Sequence, residues 1–261
     1  MRLVATCEIV FQTNSFVPAI LMLRPRSGWG QWVSREEYSI QPRMPVIEFT
    51  DIFGNLCQRV VIPPGMTKIR ASCTADTPDE VDVDMNATYI CPSNLPESAL
   101  HFLNPSRYCV SDQLSILAGD IVQGAAPGYP QVEAIRAWMH AHVEYRYGTS
   151  TTATTALDTA NGRAGVCRDF AHLGIALCRA LTIPARMVVG YAHQLQVQDI
   201  HAWFEAYVGG RWFVFDGTNA RTNGNRIAMA YGRDATDVAF VTQFGPLALT
   251  SLVVSVTPAT D

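Results

Sequence analysis

The segment from residue 167 to residue 181 restricts the fold most, because it is apolar on almost every side. Its apolar members are Phe170, Ala171, Leu173, Gly174, Ile175, Ala176, Leu177, Cys178 and Leu181. A helix that is apolar all round has to be buried, and Pro184 cannot continue it. The sequence therefore predicts a buried helix that other elements must cover on several sides.

Cys167 lies in the first turn of this predicted helix. Unpaired backbone N–H groups and the positive end of the helix dipole favour a thiolate there. A cysteine alone is weak evidence of chemistry, because many cysteines are buried simply as small apolar groups. Cys178 on the same helix is expected to be such an inert residue, so the case for Cys167 depends on residues elsewhere.

Two alternating runs, 199–208 and 211–219, are rich in aromatic and β-branched residues and are joined by Gly209-Gly210. This pattern is typical of a β-hairpin with a two-residue turn. The turn fixes which residues of the two strands lie opposite each other, unless a bulge intervenes.

Pairing of Val208 with Arg211 makes His201 and Asp216 diagonal neighbours on one face of the hairpin. Their backbones are then expected roughly 7–8 Å apart, a gap that an imidazole and a carboxylate can close. Asp216 can hold one ring nitrogen of His201 and leave the other directed at Cys167. This is the arrangement of a nucleophile, a general base and an orienting acid in acyl transfer.

At these positions the sequence resembles the transglutaminase-like superfamily of cysteine enzymes, in particular its bacterial branch of candidate cysteine peptidases. The matching segments are 165–172, 183–186, 190–191, 201–203 with Glu205, and 215–219. The resemblance implies a papain-like core, in which a buried helix with the nucleophile packs on an antiparallel sheet with the histidine and the acid. It assigns Cys167 as nucleophile, His201 as general base and Asp216 as orienting acid.

The composition is that of an ordinary soluble globular chain. Its 261 residues, 48% hydrophobic and 16% charged, can bury a substantial core. A formal net charge of −4 gives no electrostatic sign of nucleic acid or an anionic membrane, so neither is expected as a partner. Residues 1–12 resemble a strand more than a signal peptide, and no apolar run reaches ~18 residues.

The seven cysteines contain no C-x-x-C spacing, and no Cys/His cluster has the spacing of zinc ligands. We therefore expect reduced thiols in a cytoplasmic protein, with no metal and no cofactor.

Residues 1–95 are predicted to form an N-terminal all-β, sandwich-like domain, because short β-rich runs alternate with turn sequences. The predicted strands are 3–11, 17–23, 47–49, 56–62, 69–73 and 81–85. A proline-spaced stretch, 92–105, is the predicted boundary. Residues 96–261 are then predicted to be the transglutaminase-like, papain-like catalytic core, which makes the fold class α+β.

Within this second part, helices are expected over 112–123 and 130–147, ahead of the helix with Cys167. Residues 220–237 are expected to form a polar excursion, and 247–256 a closing strand. Three side chains of the excursion have two possible roles, substrate contact or plain surface exposure, and the second is preferred: they are Arg226, Tyr231 and Arg233.

Trp203 and Tyr147 are the predicted substrate-binding residues, because Trp203 shares a strand face with His201 and Tyr147 precedes a hydroxyl-rich loop that leads toward the cysteine. The alternative for Tyr147 is an ordinary polar loop. Other polar residues near the site have structural explanations. His172 is turned away from the thiol, Asp169 satisfies the helix N-terminus, and Glu205 is expected in a salt bridge.

The predicted reaction is attack by Cys167 on a peptide or side-chain amide through a thioester. Water as acceptor gives a peptidase or amidase, which we favour, whereas an amine gives a transglutaminase. An inactive protein-binding module of the same fold is the third possibility. The expected partner is a protein or peptide substrate, and the oligomeric state stays open.

Overall fold

The computed structural model describes residues 1–28, 30–193, 195 and 197–259. Its strands are β1 (Arg2–Thr13), β2 (Val17–Arg24), β3 (Trp32–Gln41), β4 (Ile47–Thr50), β5 (Leu56–Ile62), β6 (Gly65–Asp76), β7 (Glu144–Tyr145), β8 (Ala164–Gly165), β9 (Ala185–Ala192), β10 (Ile200–Val208), β11 (Arg211–Phe215), β12 (Arg226–Gly232), β13 (Val241–Gln243) and β14 (Ala248–Pro258). Its helices are α1 (Glu97–Leu100), α2 (Ser115–Ile121), α3 (Tyr129–His142), α4 (Ala156–Gly162) and α5 (Cys167–Ala180), with short 3₁₀ turns at Pro92–Asn94 and Ser111–Gln113.

The N-terminal strands form antiparallel sheets with the orders β14-β1-β6-β3 and β13-β2-β5-β4. Alternate residues of β1 are buried, as expected for a strand with one face toward a core. Apolar side chains of both sheets, such as Leu3, Phe11 and Leu21, belong to one hydrophobic cluster. The N-terminal region is therefore an antiparallel β structure.

The central sheet, in the order β11-β10-β9-β12, is antiparallel and carries α5 against it. Every residue of β9 is buried, because this strand lies in the middle of the sheet. Gly174 of α5 faces Phe204 of β10, and a Cβ at Gly174 would lie 2.5 Å from the phenyl ring. The glycine in the helix interior thus permits the close approach of helix and sheet.

The structure corrects several local predictions. Strand β3 was missed, because it is a largely exposed strand with many charged and polar residues. Residues 81–85 lie outside the described strands, and two of their apolar side chains, Val83 and Met85, are exposed. The helix predicted over 130–147 ends at His142, because the next residues enter β7 and pair with β8.

The predicted polar excursion over 220–237 was also wrong, because it contains β12, which pairs with β9. Residues 227–232 of β12 are buried. A strand covered on both faces shows no alternation of polar and apolar residues, and small residues such as Ala228 and Ala230 gave little β-strand signal.

The last two strands return to the N-terminal sheets. β13 pairs with β2, and β14, the predicted closing strand, pairs with β1 along most of its length. Strands β13 and β14 of the second predicted domain, 96–261, are thus paired with strands of the first predicted domain, 1–95. The position of the boundary near residue 95 stays a prediction.

Substitution of Gly174 by alanine should destabilise the chain by about 1–3 kcal/mol, because the new methyl group collides with the buried Phe204 ring. The free energy of unfolding by urea measures this effect.

Gly119→Ala in the exposed part of α2 is the matched control, because a Cβ there meets no atom within 4 Å. The control should be stabilising by about 0.5–1 kcal/mol, since alanine is the better helix former. Equal effects of the two substitutions would contradict the close packing of α5 on the central sheet.

Candidate active site

Cys167 is the first residue of α5, and Asp169 fixes the turn before it. The Asp169 carboxylate accepts a hydrogen bond from the backbone N–H of Val166 at 2.9 Å, which caps the helix. A Cβ on Gly165 would lie 2.7 Å from Asp169 Cβ, so glycine permits this close turn. The Cys167 thiol is half-buried at the helix N-terminus, whereas Cys178 is fully buried and burial raises the pKa of its thiol.

His201 lies near the start of β10, and Asp216 directly follows β11. Val208 pairs with Arg211, so the hairpin register predicted from the Gly-Gly turn is confirmed. His201 Nε2 lies 2.8 Å from Asp216 Oδ2. Nδ1 is therefore the ring nitrogen available to the Cys167 thiol, with which the imidazole interacts.

The Asp216 carboxylate is almost fully buried, with 1% of the residue exposed, and it accepts hydrogen bonds on both oxygens. Oδ2 accepts from His201 Nε2 and Arg226 Nη2, both at 2.8 Å, and from Asn219 Nδ2 at 3.1 Å. Oδ1 accepts from the Thr218 backbone N–H at 3.0 Å and from its hydroxyl at 2.7 Å. These donors fix the orientation of the carboxylate that holds His201.

The charged groups around Asp216 and His201 shift the pKa values of both side chains. Burial opposes ionisation of Asp216, but Arg226, His201 and Thr218 outweigh it and hold the pKa of the carboxyl group well below its usual range. Burial also tends to lower the pKa of His201, but Asp216 and the Cys167 thiol raise it to about 9. At neutral pH His201 is therefore protonated and can donate to a leaving amine.

Arg226, Thr218 and Asn219 were not predicted to be partners of Asp216. Arg226 was expected to be exposed in a loop, whereas the structure places it on β12 with its guanidinium on Asp216. Sequence reasoning could have found Thr218 and Asn219, because short polar side chains just after an acid commonly bond to it in a turn. The link to Arg226 required knowledge of β12.

A cavity of about 490 Å³ adjoins Cys167 and His201. Tyr145 lies beside Cys167, because β7 pairs Tyr145 with Gly165, two residues before the cysteine. Its ring lies 6.0 Å from that of Phe170, centroid to centroid. Burial and the neighbouring Cys167 raise the pKa of the Tyr145 hydroxyl well above its usual range, so the group stays protonated as a hydrogen-bond donor. Sequence analysis did not single it out.

The predicted substrate-binding residues lie at two different places. Tyr147 is 60% exposed and packs its ring edge-on against Tyr145, with the centroids 5.5 Å apart. Trp203 is buried with its ring 6.1 Å from that of His201, and it lines a separate cavity of about 560 Å³ together with Trp212 and Tyr231. Both substrate contacts stay predictions.

The structural explanations for the other polar residues agree with their positions. His172 is buried, stacks on Tyr108 and accepts a hydrogen bond from the backbone N–H of Ala235 at 3.1 Å. Burial lowers the pKa of His172 to about 3. Glu205 forms a buried ion pair with Arg186 at 2.6 Å, as expected.

The part of the chain that the structure describes, which includes all seven cysteines, lacks disulfides, metal-binding clusters and membrane-spanning helices. Each cysteine is free of a disulfide. No three His, Cys, Asp or Glu side chains form a group that could hold a metal ion, and no helix has the length and apolarity to cross a membrane.

Comparison with known proteins agrees with this architecture. Residues 116–217 match the family model described as Transglutaminase-like superfamily, and residues 12–76 match the Bacterial transglutaminase-like N-terminal region. The crystal structure of a candidate cysteine protease from Cytophaga hutchinsonii is 35% identical, with a TM-score of 0.91, and the match covers 100% of this chain and 92% of that chain. The predicted α+β fold, with an N-terminal β region before a transglutaminase-like core, is thereby confirmed.

Two curated relatives are more distant in sequence. An uncharacterized protein of Mycobacterium leprae is 28% identical over 257 residues, which cover 92% of this chain and 90% of the relative. The Kyphoscoliosis peptidase of Mus musculus is 27% identical over 125 residues, which cover 43% of this chain and 19% of that protein.

The raised pKa of His201 should make the stability of the chain depend on pH. The pKa is about 9 in the folded chain and about 6.5 in an unfolded one, so the folded chain keeps a proton that the unfolded chain releases. The stabilisation is present below about pH 6.5 and is lost as the pH rises toward 9. Between pH 7 and 8 the stability difference between wild type and His201→Gln should fall by about 1 kcal/mol.

Urea unfolding of both chains at each pH measures this difference, and it cancels the contribution of fully buried thiols such as Cys178, which both chains share. His140→Gln is the matched control, because His140 is exposed on α3. A wild-type-minus-His201→Gln difference that does not change with pH would rule out the raised pKa.

Proposed function

The chain belongs to the transglutaminase-like superfamily, and we propose that it is a peptidase or amidase that cleaves amides through a thioester on Cys167. The observation that carries this proposal is the 2.8 Å hydrogen bond between His201 and the buried Asp216, next to a half-buried thiol at the N-terminus of α5. A nucleophile, a base and an orienting acid in this order are what acyl transfer requires.

In the proposed reaction, Cys167 Sγ forms a bond to the amide carbonyl carbon, and the thiol proton resides on His201 Nδ1. Collapse of the tetrahedral intermediate breaks the C–N bond, and His201 gives its proton to the leaving amine. Water then attacks the thioester while His201 accepts one of its protons. The C–S bond breaks, the carboxylic acid is released, and the proton returns to the Cys167–His201 pair.

The negative oxygen of the tetrahedral intermediate needs hydrogen-bond donors. The backbone N–H of Cys167 at the start of α5 is one proposed donor. Tyr145 is the second, because its hydroxyl oxygen accepts the Cys167 backbone N–H in the free chain and so lies beside that donor, and the pairing of β7 with β8 holds its backbone. Asp216 and the residues bound to it do not touch the substrate in this scheme but keep His201 in one orientation.

Hydrolysis is preferred over transamidation because the similar Cytophaga hutchinsonii protein is described as a candidate cysteine protease and the Mus musculus relative as a peptidase. The same three residues would also serve a transglutaminase, in which an amine replaces water. The cysteines agree with a reducing compartment, and we propose the cytoplasm as the site of action.

The reaction type is tested with a glutamine-containing protein and a fluorescent primary amine, measuring new amino termini, released ammonia and incorporated amine in the same sample. We expect new termini or ammonia without incorporation. Cys167→Ala should lower the rate at least about 10³-fold, whereas Cys91→Ala, which removes an exposed thiol, should not. Amine incorporation that depends on Cys167 would identify a transglutaminase, and no Cys167-dependent product would favour the binding module.

Tyr145→Phe should lower kcat on the order of 10²-fold with little change in KM, because a donor to the oxyanion acts only in the transition state. Tyr89→Phe removes a hydroxyl that bonds to Thr182, and it should leave kcat unchanged. Loss of activity through KM alone in Tyr145→Phe would instead make Tyr145 a ground-state contact with substrate.

A further inference from the structure

The cavity beside Cys167 and His201 has a mostly apolar wall. The apolar residues of that wall include Val189, Ala202, Val238, Phe240, Val241 and Leu252. Its volume of about 490 Å³ lies in the range of ligand pockets. An apolar wall next to the reacting atoms selects a chemical class of substrate, because a polar group placed there without a hydrogen-bond partner loses its hydration.

Three parts of the fold supply this wall. Val189 and Ala202 are paired across β9 and β10, directly beside the His201–Gly190 pair. Phe240 and Ala239 come from the segment between β12 and β13. Leu252 lies on β14, which completes an N-terminal sheet. The wall thus combines residues of the central sheet with residues of the N-terminal sheets.

The polar residues of the cavity differ in how many hydrogen bonds and ion pairs they already form with other protein groups. Arg168 donates to Ser150 Oγ at 2.9 Å and to the backbone oxygen of Thr151, and it lies over the Tyr108 ring. Asp199 accepts a hydrogen bond from the Ile200 N–H at 2.7 Å, and among the described residues it forms no ion pair. An acidic substrate group would therefore meet the apolar wall and the Asp199 carboxylate, while the Arg168 guanidinium is already engaged, including by the buried Asp169 at 3.2 Å.

We propose that this cavity holds the side chain of the residue whose carbonyl Cys167 attacks, and that it selects an apolar side chain over a polar one of the same shape. The inference rests on the proposed function for the position of the carbonyl. It narrows the substrate class to peptides or amides with an apolar acyl residue, as opposed to the glutamine side chain that a transglutaminase would take.

The test measures how well small amides protect Cys167 from iodoacetamide, followed by mass spectrometry of the Cys167 peptide. N-acetyl-leucinamide and N-acetyl-asparagine amide have the same shape but differ in polarity. Half-protection should need at least about tenfold less of the leucine compound. Because protection needs no turnover, it tests the cavity separately from the hydrolysis assay above.

Substitutions that line the cavity test whether the protecting amide binds there. Ala239→Phe fills the cavity and should raise the half-protecting concentration of N-acetyl-leucinamide about tenfold, whereas Ala137→Phe, on the exposed side of α3, should not. Leu252→Asn adds a polar group to the wall and should reduce the preference for leucine, which keeps the test decisive if the larger substitution does not fold. Equal protection by both compounds, or better protection by N-acetyl-glutamine amide, would overturn the proposal.

Discussion

A carboxylate as deeply buried as that of Asp216 can stay ionised only where donors replace its lost hydration. In this chain the donors come from the turn after β11, through Thr218 and Asn219, and from β12, through Arg226. His201 Nε2 forms the remaining hydrogen bond to the carboxylate. The central sheet, its hairpin and its outer strand therefore all have to be in place before the imidazole is oriented.

The same constraint explains why α5 is packed so tightly against β10. The thiol of Cys167 is carried by the helix and the imidazole by the sheet, so a shift of one against the other separates the two atoms between which the proposed reaction moves a proton. The contact of Gly174 with Phe204 in the middle of α5 and the capping of the helix N-terminus by Asp169 limit such a shift. The hydrophobic core is in this sense part of the geometry that the proposed reaction requires.

The parts that sequence could predict are those with a local pattern. The apolarity of residues 167–181 on almost every side indicated α5. The Gly209-Gly210 turn indicated the strand register that brings His201 to Asp216. The parts that were missed depend on contacts between distant segments. Strand β12 has small residues and both faces covered, so it has no alternation to detect, and without it the role of Arg226 at Asp216 could not be inferred.

The return of β13 and β14 to the N-terminal sheets has a consequence for specificity. The family match over residues 116–217 contains Cys167, His201 and Asp216, but the wall of the adjoining cavity also uses Val241 and Leu252, which lie on strands paired with β2 and β1. The proposed chemistry thus resides in the core, while the cavity proposed to hold the substrate side chain is built jointly with the N-terminal region. In this proposal the N-terminal region helps to shape the cavity, even though it supplies none of Cys167, His201 and Asp216.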